Sequence, residues 1–133
     1  TATLVVANLA RCPDSIRMLC NTDGMLNELV LKLADKFFHQ DRLAKAFARF
    51  SADPECARLI CSVDGVVPAL VSGLSLSGRV QKYSAMTLHN LARDEKMIIL
   101  FRKIVDLVPA LNYALESSDS DTKYYSHRLL ARL

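Results

Sequence analysis

The chain has 133 residues, of which 51% are hydrophobic and 23% charged, with a formal net charge of +3. That length builds one sizeable core and leaves none for a second globular domain, and no apolar run reaches the roughly 18 residues needed to cross a bilayer. A mild positive balance without a Lys/Arg cluster is weak evidence for nucleic acid.

Thr1 shows neither an initiator Met nor a signal sequence, so the chain is expected to be a piece of a longer protein. Residues 1–12 read as the end of a preceding repeat, with Thr1 to Arg11 in its third helix. In the middle of the chain, Pro54 to Val63 predicts a short apolar helix, Val66 to Leu76 a second, and Arg79 to Arg93 a third and longest. Asp53 before Pro54 supplies an N-cap followed by proline at the first helical position, and Asp64-Gly65 ends that helix at a residue tolerant of positive φ. Pro68 and Pro109 fall in the first turn of second helices, where a missing N–H costs little. The stretches 75–78 and 116–120 break the chain before long third helices.

The pattern recurs every 41 residues without gaps. Asp23-Gly24 returns as Asp64-Gly65, Cys20 as Cys61, Arg17 as Arg58, Pro13 as Pro54, Leu29 as Leu70 and Leu111, and Leu33 as Leu74 and Leu115. A period of this length carried by helices means stacked units that bury one another's faces, as in armadillo and HEAT arrays. Three units are expected, over 13–52, 53–93 and 94–133. Neither end is a polar cap, so flanking repeats are expected, and Leu129 and Leu133 at an uncovered end would favour self-association. The register assigns Leu9, Phe50 and Leu91 to the core, with Val6, Phe47, Leu88 and Leu129 beside them. Leu19, Ile60 and Phe101, then Leu26, Val67 and Val108, complete it.

The phrases Val63-Asp64-Gly65-Val66-Val67-Pro68-Ala69-Leu70-Val71 and Leu107-Val108-Pro109-Ala110-Leu111, with Leu88-His89-Asn90-Leu91-Ala92 and Val6-Ala7-Asn8-Leu9-Ala10, resemble the armadillo-repeat family. The resemblance covers essentially the whole chain. It implies an all-α fold, a right-handed α-solenoid of three-helix repeats, whose third helices line a concave groove for an extended peptide. It further implies that Asn8 and Asn90 bond the peptide backbone, an amide offering both donor and acceptor. Arg49 and Ala131 replace that Asn in the other units. Where importin-like members carry Trp, this chain has Leu4, Lys45, Met86 and His127.

Residues four apart share a helix face, so Lys45 stands with Arg49, Lys82 below Met86 and Asn90, and Lys123 below His127. Arg42, Tyr83 and Tyr124 border the same faces, and Asp41 is the only acid expected nearby. Such a face favours an acidic or phosphorylated peptide, and makes the chain a scaffold or adaptor. A purely structural stack, or one that dimerises, is the alternative, and binding of nucleic acid or anionic lipid a weaker one.

No chemistry of catalysis is legible. His39, His89 and His127 lie in different units, no Ser or Cys has an activating signature, and four glycines form no phosphate loop. His89 reads as a hydrogen-bonded structural imidazole. Cys12, Cys20, Cys56 and Cys61 lack metal-ligand spacing, and the repeat-equivalent Cys20 and Cys61 read as core residues a layer apart. No enzyme activity, metal or cofactor is expected, and a reducing, cytoplasmic or nuclear compartment is. Ser117, Ser118 and Ser120, beside Asp119 and Asp121, form a linker chemically open to phosphorylation.

Overall fold

The computed structural model describes residues 12–22, 24–35 and 40–133. Among these the protein is all-helical. The helices are α1 (Pro13–Cys20), α2 (Met25–Ala34), α3 (Gln40–Ala52), α4 (Pro54–Cys61), α5 (Val66–Leu74), α6 (Arg79–Leu91), α7 (Glu95–Arg102), α8 (Leu107–Ala114) and α9 (Ser120–Arg132). The expected helix over 1–11, with Leu4, Val6, Asn8 and Leu9, lies outside the described residues, as do Asp23 and His39. No single described helix is long and apolar enough to cross a membrane.

Local chemistry fixes the helix starts. The Asp53 side chain accepts from the Cys56 N–H at 3.1 Å, and proline follows where no N–H is needed. Asp94 and Asp119 cap α7 and α9 in the same way, accepting from Lys96 N at 2.9 Å and Thr122 N at 2.8 Å. Gly65 has φ 87°, but its role differs from expectation. The preceding helix closes at Ser62, and Gly65 is the N-cap of α5, the left-handed residue that turns one helix into the next. The helices are also shorter than the sequence suggests, because α5 stops at Leu74, where the buried Gln81 amide takes the Leu74 carbonyl at 3.0 Å.

Counterpart helices one period apart pack on one another: α1 on α4, α2 on α5, α3 on α6, α5 on α8 and α6 on α9. The core is one continuous cluster through these layers, with Phe47, Phe50, Ile60, Leu70, Leu88, Leu91, Phe101 and Leu129 fully enclosed. Two expectations fail at the last layer. Val108 is 42% exposed whereas Leu26 and Val67 are each 7% exposed, because α2 and α5 are covered by a following layer and α8 is not. Leu129 is enclosed under α6 and α8, as its core register expects, and Leu133 is half-buried, so the exposed aliphatic side chains of the third unit include Ile99, Leu100, Val105 and Val108.

Polar clips join the layers. Arg17 donates twice to Asp53 Oδ1, at 3.1 and 3.3 Å, and Arg93 Nη2 donates to the Ser51 carbonyl at 2.7 Å. Arg132 holds the Ala92 carbonyl and Glu95. The two carbonyls lie at or just beyond the ends of α3 and α6, where helix geometry leaves acceptors unpaired and a cation is favoured.

Candidate binding face on the third helices

The third helices α3, α6 and α9 lie in sequence across the layers, and α6 is packed between the other two. On their shared surface Lys45, Ala48, Arg49 and Ala52 of α3 face Tyr83, Met86 and Asn90 of α6, with Tyr125 of α9 at the far side. Together they enclose a depression of about 400 Å³. Its walls are alanine methyls and tyrosine rings, and its rim carries two cations. Neither Lys45 nor Arg49 makes an ion pair among the described residues.

Of the residues chosen from sequence, the structure brings Lys45, Arg49, Met86 and Asn90 into this depression. It leaves out Arg42, exposed on the first turn of α3, and Lys123 and His127, exposed on α9. Lys82 is corrected as well. Its Nζ lies 3.4 Å from Asp121 Oδ2 and 5.5 Å from the centre of the Tyr83 ring, and Asp121 raises its pKa. Asp41 is therefore not the only acid near this face, since α9 supplies Asp121 one layer away.

Asn90 is engaged within the fold. Its Nδ2 donates to Ser51 Oγ at 3.1 Å and to the Ala48 carbonyl at 3.4 Å, so the donor half of the amide stitches α6 to α3. This follows from the serine two residues beyond Arg49, whose own hydroxyl is buried on the Ala48 carbonyl at 3.0 Å.

Tyr125 was not singled out from sequence. It occupies the register of the buried Leu43 and Ser84, and a phenol too large and polar to follow them inward emerges at the α6–α9 joint. That mismatch within the repeat was the available signal. Tyr124, chosen instead, points outward, with Arg128 5.4 Å from its ring centre.

His89 packs 5.2 Å from Tyr125 and its Nδ1 is buried without a partner among the described residues, so within them the expected hydrogen-bonded imidazole is not satisfied at that atom. Burial is the main cause that lowers its pKa, opposed by the Asn90 side chain and reinforced by Arg128, Arg93 and Arg132. The face therefore draws its charge from Lys45 and Arg49. Burial also raises the thiols of Cys20 and Cys56, and that of Cys61 to about 11, which leaves them little thiolate character. Cys20 is buried as expected, but Cys61 is only half-buried and lines a surface depression.

No protein-family model and no curated protein matches this chain. Two engineered proteins with crystal structures from the Northeast Structural Genomics Consortium are similar to it. One is 29% identical with a TM-score of 0.77, over 98% of this chain and 54% of its own. The other is 30% identical with a TM-score of 0.79, over 98% of this chain and 32% of its own. The chain thus spans about half of the first and about a third of the second.

Proposed function

We propose that the chain is a non-catalytic interaction module, an armadillo-type α-solenoid of three-helix repeats that binds an extended acidic peptide across its third helices. The observation that carries this reading is the depression that sets Lys45 and Arg49, which make no ion pair among the described residues, against Tyr83 and Tyr125. A carboxylate or phosphate between the two cations gains charge-assisted hydrogen bonds, and an adjacent apolar side chain covers the alanine floor between the rings. The reading is narrower than the sequence alone suggests. Lys82 is already matched by Asp121, and Asn90 contributes shape more than a free donor. A reducing intracellular compartment suits the four cysteines.

The test is a fluorescence-anisotropy titration of labelled acidic ten-residue peptides against wild type and the Lys45→Glu/Arg49→Glu double variant. Both positions lie outside the core, so the variant keeps its helical signal. It is expected to lose at least tenfold in affinity, and wild-type affinity is expected to fall as salt rises. Equal affinity of both proteins for every peptide rejects the reading.

Exposed Ile99, Leu100, Val105 and Val108 favour a second reading, self-association through the third unit. Sedimentation at rising concentration separates it from the first.

A further inference from the structure

A second depression, of about 220 Å³, lies where α2, α5 and α6 meet. Leu33, Ala69, Leu76 and Val80 wall it, with Gly73 and Ser84 beneath, and among the described residues no charged side chain lines it. We infer that it is a binding site for a small, neutral, ring-sized apolar molecule carrying one hydrogen-bonding group, which the Ser84 hydroxyl meets.

The hydroxyl is the first argument. Ser84 is 1% exposed and its Oγ has no hydrogen-bond partner among the described residues, an arrangement folded proteins avoid unless a ligand or an ordered water completes it. Gly73 is the second. It sits within α5 and no positive φ calls for glycine there, yet a Cβ at that position would collide with the Ser84 hydroxyl. Close packing of α5 on α6 explains the glycine. It does not explain why the hydroxyl beside it, on a residue that lines the depression, has no partner among the described residues.

The repeat itself is the third argument. One period away, Ser84 is matched by Leu43 and Tyr125, and Gly73 by Lys32 and Ala114. Leu76 is matched by Asp35 and Ser117, and Val80 is matched by Asp121 in the third unit. The middle unit thus combines a small floor with apolar walls where its neighbours carry bulk or charge, and Leu76 is left exposed at the rim. The volume exceeds the about 150 Å³ apolar cavity that admits benzene, so one aromatic ring with a short substituent fits. The described lining carries no charge, which commits the ligand to neutrality, since a buried unpaired ion is strongly disfavoured.

The test uses 4-methylphenol and toluene as probes, read by amide chemical shifts of the ¹⁵N-labelled protein. Saturable shifts are expected in α5 and α6, with 4-methylphenol bound roughly threefold to tenfold more tightly than toluene. Ser84→Ala should keep the cavity and erase that preference. Ser72→Tyr, at the exposed rim, installs the residue that the third unit carries as Tyr113, and should abolish binding of both probes. Both variants are checked for unchanged helicity. Absence of saturable shifts in wild type, binding unaffected by Ser72→Tyr, or a preference that survives Ser84→Ala would each overturn the inference. A structure with only an ordered water on Ser84 in the presence of millimolar probe would do so as well.

Discussion

Phe50→Ala measures how much one side chain contributes between two layers. The ring is 0% exposed on α3, and it meets Phe47 edge-on, with centroids 5.9 Å apart and planes at 80°. An aromatic side chain buries about 150–250 Å². At roughly 25 cal/mol per Å² that is about 4–6 kcal/mol, of which the remaining Cβ keeps a part. Mutational series with a residual cavity give about 3–5 kcal/mol for such a change. A domain of ordinary stability, about 5–15 kcal/mol, would lose a large share of it. Urea unfolding followed by circular dichroism reads the shift in midpoint, with an unchanged slope showing that the same surface is exposed. Val105→Ala, at an 86% exposed position, serves as the control and should be nearly neutral. A Phe50→Ala change within about 0.5 kcal/mol would show that the stacked register is wrong.

Asp121→Asn should tighten binding of an acidic peptide, because it removes a competing carboxylate and releases Lys82; weaker or unaltered affinity in the anisotropy titration counts against the proposed face. Asn90→Ala should cost about 1 kcal/mol in urea unfolding, through the lost donor to Ser51 and Ala48, and an unmoved midpoint would refute that role. His89 has its pKa lowered from 6.5 in the fold, so its contribution is complete above that pH and is lost as pH falls through the lower folded value. Stability measured from pH 7 to 5 should decline in wild type and decline less in His89→Leu. Asp53 and Asp119, held below 3.8 chiefly by the N–H groups they cap, act in the same sense further down, with stability present above that value and lost as pH falls below it.

Features set by neighbours along the chain were legible in the sequence. Asp53-Pro54 announces a helix start by itself, and Phe47, Phe50, Leu88 and Leu91 are core because they recur at helical spacing on a fixed period. Features set by neighbours across layers were not. Lys82 and Lys45 look alike in sequence, yet among the described residues only Lys82 finds a carboxylate, from a residue 39 positions away on another helix. Asn90 is a plausible peptide-binding amide until Ser51 is placed beside it. Val108 repeats Val67 faithfully, and its exposure depends on whether a following layer covers it. Periodicity gives the register of a stack, while pairing depends on which side chains the register sets face to face.

The division between structural and available cations limits what the proposed face can bind. Arg17, Arg93 and Arg132 hold Asp53 or main-chain carbonyls between layers, and Arg102 donates to the Arg132 carbonyl. Lys82 answers Asp121. The positive charge converging on the depression is then that of Lys45 and Arg49, far less than the 17 basic residues imply. A nucleic acid held by two phosphate contacts would show a shallow salt dependence and weak affinity, since each neutralised phosphate contributes separately to counterion release. Two cations set between two aromatic rings are better matched to one acidic side chain with an apolar neighbour. The clips from Asn90 and Arg93 to Ser51 strengthen that match, because they fix α6 against α3 before any partner arrives and so reduce the ordering cost of binding.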